Sequence, residues 1–391
     1  MLRLRAAGVM LLLAATPACS SGEREAPALS GVTAISTGFD SNCALINDGS
    51  VRCWGFNHNG ELGNDTLSGE PLRNSWAAVA VLRVADAVSV SVGQSHACAV
   101  LSDGVVKCWG KVPNRVPNLP VTPAFPVEGV AAARAVVAGR YHTCALLTDS
   151  TVQCWGDGSL VSLGDGLLPE ERHGTWSTPV SVKDLDDAKA LAVNFPSSCA
   201  LRESGEVSCW GETWGEGEPL ADGSSVGRTL LRYTPVPRVI EGLADVVQIS
   251  LGSLYSCAVL SDTTVACWGW VREEMGGSDV PTPVPIAVAG LSGAIAVAAG
   301  ASHACALLSD GSIRCWGSNV GGQLGDGSEV SSPVPVRVQG IDTAVAVSAG
   351  NYRTCALLAD STVRCWGDNA RGCTDGVCSS SSTPVIVRTA P

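Results

Sequence analysis

From residue 31 onward, short apolar runs alternate with turn residues, and the cleanest stretch lies between 294 and 338. There Ala294-Ile-Ala-Val-Ala-Ala-Gly300 is followed by Ala304-Cys-Ala-Leu-Leu-Ser-Asp-Gly-Ser-Ile-Arg-Cys-Trp-Gly317, then Gly322-Gln-Leu-Gly-Asp-Gly327, then Pro333-Val-Pro-Val-Arg-Val338. Runs this short, bounded by Gly, Ser, Asp and Pro, predict strands, and four in succession predict one antiparallel blade. The middle pair reads as a hairpin centred on Asp310, with Gly311 in the left-handed conformation of a three-residue loop. Counting outward from that turn pairs Leu308 with Ser312, Leu307 with Ile313, Ala306 with Arg314 and Cys305 with Cys315.

The same unit recurs along the chain. Cys-Trp-Gly occurs at Cys53, Cys108, Cys154, Cys209, Cys267, Cys315 and Cys365, and ten residues before each stands another cysteine: Cys43, Cys98, Cys144, Cys199, Cys257, Cys305 and Cys355. The interval within each pair is constant, whereas that between repeats runs from 46 residues (Cys108 to Cys154) to 58 (Cys209 to Cys267). A constant interval reflects fixed backbone geometry, and a varying one reflects loops of differing length. Opposed cross-strand positions lie within disulfide range, so each pair is expected to be bonded. A zinc site would need closely spaced pairs gathered in fours, which nine intervening residues within one hairpin do not supply. Five residues before the first cysteine of each pair stands Gly38, Gly93, Gly139, Gly252, Gly300 or Gly350, replaced in the fourth repeat by Asn194. A left-handed turn at that position accounts for both residue types.

The run from His303 to Gly317, followed by Gly322-Gln-Leu-Gly-Asp-Gly327, resembles the regulator of chromosome condensation repeat family over residues 31–391. The resemblance implies an all-β, closed, seven-bladed propeller. It also implies one of three uses: nucleotide exchange on a small GTPase, inhibition of a secreted bacterial β-lactamase, or a general interaction platform. Exported bacterial members carry cysteines where the nuclear proteins have apolar residues. The second, fourth and fifth repeats here lack the Gln-Leu-Gly segment, and the seventh has Gly372-Cys-Thr-Asp-Gly376 in its place.

The first residues add a compartment. Arg3 and Arg5, a short apolar stretch to Ala15 and the small residues before Cys19 read as a secretory signal over residues 1–18, since the stretch is too short to span a bilayer. The ending resembles a bacterial lipoprotein signal, with Cys19 as the lipidated residue and 19–30 as a tether; Thr16 and Pro17 depart from that pattern, and ordinary signal cleavage is the alternative. The expected location is the outer membrane or cell surface, otherwise the periplasm or the medium, with the membrane reached through the lipid alone. With Cys19 set aside, sixteen cysteines of the seventeen remain, the seven pairs plus Cys373 and Cys378, an even set suited to an oxidising compartment. A net charge of −12 argues against nucleic acid as a partner.

Candidate chemistry is sparse. His96, His142 and His303 share one repeat position, two before the first cysteine, where other repeats have Ser41, Ser197, Tyr255 and Arg353. A position that varies so freely suits a turn hydrogen-bonder better than a base or ligand. Ser309-Asp310-Gly311 with Trp316 has the residues of the sialidase Asp-box but not its spacing, and no hydrolase, metalloprotease, phosphate-loop or calcium-loop motif is present. No catalytic residue, metal or cofactor is assigned. One tryptophan per Cys-Trp-Gly means packing between blades, and Trp76 and Trp176 read as structural too. Trp214 and Trp270 follow Cys-Trp-Gly in neighbouring repeats, amid Glu212, Glu216, Glu218, Glu273 and Glu274. They mark either a contact site on one rim or loops packed on themselves. The function expected is a monomeric, non-catalytic module that binds an unidentified protein at the cell envelope. The alternatives are a propeller enzyme of lyase or glycosidase type with its site at the central channel and, from the family, a guanine nucleotide exchange factor or enzyme inhibitor.

Ring closure carries its own expectation. The first repeat begins at Gly31 with no Pro-Val strand ahead of it, and the chain ends on Thr383-Pro-Val-Ile-Val-Arg388. Placing Thr383–Arg388 in the blade that begins at Val32 would leave no unpaired edge.

Overall fold

The computed structural model describes residues 26–390 except 65–72, 112–121, 159–160, 169–170, 172–177, 195, 216–229, 254, 270, 272–281, 369–372, 375–376 and 379. The leader and Cys19 lie outside the described residues, as does Trp270.

The period-two runs form the predicted blades. In the sixth, Ala294–Ala299, His303–Leu308, Ile313–Gly317 and Ser332–Arg337 pair in that order as one antiparallel sheet, and six more four-stranded sheets repeat the arrangement into a seven-bladed propeller. The hairpin register is the predicted one: Leu307 faces Ile313, Ala306 faces Arg314 and Cys305 faces Cys315, and Gly311 turns the chain at φ +79°. The inner strand of each blade carries a register shift against its neighbour, as between Ala294 and Ala296, an irregularity that increases local twist.

All seven hairpin pairs are disulfides, Cys43–Cys53, Cys98–Cys108, Cys144–Cys154, Cys199–Cys209, Cys257–Cys267, Cys305–Cys315 and Cys355–Cys365. Each is buried, and each shares an apolar cluster with the Cys-Trp-Gly tryptophan of the next blade. Trp109 packs with Cys43 and Cys53, Trp366 with Cys305 and Cys315, and Trp54 of the first blade with Cys355 and Cys365 of the last. The core is therefore a ring of wedges between blades. Cys373 and Cys378, outside any predicted strand, stand opposite each other in a two-stranded ladder of Cys373–Thr374 and Val377–Cys378.

Two expectations are corrected. The axial glycines and Asn194 do not take left-handed conformations. They are small because neighbouring blades meet there: a Cβ on Gly300 would lie 2.5 Å from the Gly350 carbonyl oxygen, and one on Gly350 would lie 2.1 Å from that of Gly38. Hydrogen bonds such as Ala301 N–H to the Gly350 carbonyl (3.2 Å) join the blades at this inner ring. Replacing Gly300 by Ala is expected to lower unfolding free energy by about 1–3 kcal/mol, because both the carbonyl and the buried His303 ring must shift; urea titration of the variant measures it.

The second correction concerns closure. The C-terminal strand, Ser381–Ile386, pairs with Val363–Gly367 and completes the seventh blade, not the first. The first blade already has an outer strand, Ser75–Ala80, which lacks the Pro-Val signature and so was not recognisable by that signal. Only the tail beyond residue 386 reaches across the seam. Leu29 N–H bonds the Val387 carbonyl (2.9 Å), Ala78 N–H bonds the Arg388 carbonyl (2.8 Å), and Arg388 Nη1 donates to the Ala26 carbonyl (2.7 Å). The tail thus ties the last blade to the outer strand of the first and to the residues that lead into its inner strand.

Candidate functional site

The varying position before each first cysteine sits at the start of the second strand. Where it is histidine, the ring reaches across to the neighbouring blade, and its partner is the residue just before that blade's first cysteine. His96 Nε2 lies 2.7 Å from Thr143 Oγ1, His142 Nε2 2.7 Å from Ser198 Oγ, and His303 Nε2 2.9 Å from Thr354 Oγ1. All three rings are fully buried with Nδ1 unpartnered, and burial pulls their pKa values down from 6.5 to about 4. A neutral imidazole donating from Nε2 fits this geometry, since a protonated Nδ1–H would have no acceptor. The expected turn bonds are instead bonds between blades.

Where histidine is absent, the pairing changes in concert. Tyr255 donates to the His303 carbonyl past Ala304, a residue small enough to admit the ring. At the seam between last and first blades, buried Arg353 bonds the Asp368 carbonyl through Nε (2.8 Å) and the Asn42 side-chain oxygen through Nη1 (2.7 Å). Burial lowers the Arg353 pKa, opposed by the charges of Asp368 and Asp40.

The x-Leu-Gly segments form a second set of ties. Trp109 Nε1 donates to the Glu61 carbonyl (2.8 Å), Trp210 Nε1 to that of Ser162 (2.9 Å) and Trp366 Nε1 to that of Gln323 (2.9 Å). Gly63, Gly164 and Gly325 let each latch lie against the indole, where a Cβ would come within 2.7–2.9 Å of the ring. These latches join the first blade to the second, the third to the fourth and the sixth to the seventh. Trp155 and Trp316 follow blades that lack the segment, and their buried indole N–H groups have no acceptor.

The central channel is lined at one end by the residues that follow the axial glycines. It has a volume of about 90 Å³, and its polar side chains are those of Thr37, Gln94, Arg140, Asn194, Ser253 and Asn351. The Arg140 guanidinium lies 5.6 Å from the Phe39 ring centre and 4.9 Å from that of Tyr141. Carboxylates and imidazoles, which general acid-base chemistry uses, are not among these described lining groups. No group of three or more His, Cys, Asp or Glu able to hold a metal occurs among the described residues, and no helix among them is long and apolar enough to cross a membrane.

The segments joining third to fourth strands all leave on the rim where each Cys-Trp-Gly strand ends. In the fourth blade the third strand runs on past Gly211 to Gly215, and a long outer strand, Leu230–Val239, pairs with the extension. The backbone of Trp214 stands there opposite Leu231, and Glu212, its carboxyl pushed up by burial, opposite Tyr233. Trp76 packs edge-on against Phe56 (5.1 Å), in keeping with a structural role; Trp176 is outside the described residues.

The geometry defines a closed, disulfide-stitched, seven-bladed propeller whose polar core groups join blade to blade. The chain belongs to the regulator of chromosome condensation repeat family: models of the regulator of chromosome condensation (RCC1) repeat match residues 32–61, 87–114, 133–160, 294–323 and 344–373, and a second such model matches 48–100 and 310–357. The fourth and fifth blades fall outside the matched residues. The chain is 30% identical over 242 residues to the E3 ubiquitin-protein ligase HERC2 of Homo sapiens, covering 61% of this chain but 4% of that protein. It is 25% identical over 255 residues to protein pim1 of Schizosaccharomyces pombe, covering 63% of this chain and 38% of that one. The chain therefore spans well under half of these relatives. Among solved structures, Prp20p of Saccharomyces cerevisiae superposes with TM-score 0.67 at 20% identity (82% of this chain, 80% of that one), and human WBSCR16 with 0.68 at 19% (82% and 85%). These share the fold.

Proposed function

We propose that this protein is an exported, lipid-anchored, non-catalytic propeller that binds a protein partner through the rim carrying Trp214 and Trp270. The extended hairpin of the fourth blade carries this reading, since it projects a tryptophan-bearing strand pair beyond the length of the other blades. The absence of catalysis is supported by the fate of the polar groups: the conspicuous histidines are neutral, buried and occupied between blades. Seven buried disulfides suit an oxidising compartment, and Prp20p is a propeller of this fold studied for binding to Gsp1p and histones. Cys373 and Cys378, opposed in their short ladder, form an eighth disulfide in this reading.

Charge adds to the case. The segments joining third to fourth strands (56–74, 111–121, 157–179, 216–229, 270–281, 318–331 and 368–380) hold 17 Asp and Glu against 7 Lys and Arg, a net −10 out of −12 for the chain. Such a rim favours a cationic partner. Chemical crosslinking of the purified protein in envelope extract, compared with a Trp214→Ala, Trp270→Ala double variant of unchanged melting temperature, tests the assignment. Loss of the captured species is expected; capture equal to the parent's would place the contact elsewhere.

A further inference from the structure

Every inner strand starts with a bulge, and the bulge frees one side chain. In the sixth blade Ala294 pairs with Leu308 and Ala296 with Leu307, so Ile295 has no partner on the second strand. The same register shift frees the equivalent residue in each of the other blades. The inner strands contact one another in series around the axis, and their far ends, at the axial glycines, line one channel. The freed residues therefore ring the other mouth of that axis, about 15 Å away, on the face opposite the Cys-Trp-Gly rim.

The ring is divided by chemistry. Val247, Ile295 and Val345 occupy it in three consecutive blades, the fifth to the seventh, and Val88 in the second. These side chains are 46% to 55% exposed, although the residue before each is buried. A bulge residue makes no cross-strand pair, and the first, third and fourth blades carry Thr33, Arg134 and Lys189 there, so the fold does not require an apolar group. Both cations are exposed and come from adjacent blades. Arg134 Nε donates to the Leu147 carbonyl (3.2 Å) and Nη2 to the Ala188 carbonyl (2.9 Å), which holds its charge against the backbone just ahead of Lys189. Neither cation has an ion-pair partner among the described residues, and Asp187, two residues before Lys189, is taken by Arg202 (2.7 Å). Asp86 and Asp245 hold the position of Asp187 in the flanking second and fifth blades, so the positive sector spans only the third and fourth.

We infer that this mouth is a docking surface for a protein segment that presents one Asp or Glu carboxylate beside branched or aromatic apolar side chains. Arg134 and Lys189 select the carboxylate, and the acids on either side of them disfavour a polyanion such as nucleic acid. The apolar arc from Val247 to Val345 selects the rest of the segment, since contiguous exposed apolar surface bordered by charge marks a contact site. The inference goes beyond the rim reading and is independent of it, because the two surfaces lie on opposite faces of the ring.

For the test, a phage-displayed random dodecapeptide library is selected on the immobilised full-length protein, and enriched peptides are resynthesised with a fluorescent label for anisotropy titration. Enriched sequences are expected to carry a single Asp or Glu next to Leu, Ile, Val or Phe. Lys189→Glu is expected to weaken them about tenfold, and Lys189→Arg to bind as the parent does. Ile295→Ser combined with Val345→Ser is expected to weaken them about tenfold as well, the worth of covering the exposed half of two such side chains. All these positions are exposed, so each variant should keep the parent's melting temperature. Trp214→Ala, Trp270→Ala should leave these peptides bound as before. Peptides that resist either the charge or the apolar variant would overturn the mouth. So would no enrichment, a fluorescent fatty acid bound in place of peptide, or self-association abolished by Lys189→Glu. Enrichment only of basic peptides lost on Trp214→Ala, Trp270→Ala would overturn the mouth and leave the rim reading standing.

Discussion

Full reduction of the protein is expected to abolish the folded ring. In the chain-entropy account, each hairpin disulfide, closing a loop of ten residues, contributes about 2–3 kcal/mol. Seven together contribute roughly 15–20 kcal/mol, more than the ~5–15 kcal/mol net stability of an ordinary domain. The bonds are also part of the wedge cores, so reduction loosens the surface on which the next blade's tryptophan rests. A single Cys305→Ala, Cys315→Ala variant should therefore lose about 2–4 kcal/mol, with part of the loss arising from the cavity beside Trp366. Denaturant unfolding followed by tryptophan fluorescence, with and without prior reduction under unfolding conditions, measures both effects. A reduced chain with the parent's cooperative transition would show that the blades hold without their bonds.

Acid is expected to weaken the ring well above the pH at which carboxylates ordinarily protonate. His96, His142 and His303 titrate near 4 in the folded protein against 6.5 in the unfolded chain, because burial disfavours the charged ring. Between those values the unfolded state binds more protons than the folded one, so stability falls as pH falls through this window and levels off below about 4. From the two pKa values the loss is about 2 kcal/mol per histidine at pH 5, or about 6 kcal/mol for the three. The raised carboxyls of Asp40, Glu61 and Glu212 act in the opposite direction towards the acid end, since burial makes the folded state hold their protons more tightly. Unfolding free energies measured from pH 7 to pH 4 check the sign and size. A His142→Gln variant should lose about a third of the slope, and an unchanged slope would remove these histidines as its source.

Both expectations turn on residues whose place was readable in part from the chain alone. The ten-residue interval between cysteines, centred on a Ser-Asp-Gly turn, determines the hairpin register, because in a strand pair a turn of known length dictates which residues oppose. Seven copies of one four-strand unit likewise determined the blade count. The histidines were visible as a repeat position, but their role was not. A pairing such as His142 with Ser198 joins residues of different blades, and no local periodicity marks it. The axial glycines show the same limit: sequence suggested a left-handed backbone, whereas the cause is a neighbouring carbonyl some 50 residues away along the chain.

Closure follows the same rule. The Pro-Val signal marks most outer strands but not Ser75–Ala80, so from sequence the C-terminal strand reads as part of the first blade, whereas it completes the seventh. Local sequence thus determined what hydrogen bonds within a blade depend on: strand alternation, turn chemistry and the spacing of the cysteine pairs. Tertiary structure alone decided what happens between blades, including the imidazole-to-hydroxyl bonds, the latches over tryptophan and the tail across the seam. Blade-to-blade contacts join side chains that the chain separates by a whole repeat, so their complementarity is a property of the closed ring and of no segment within it.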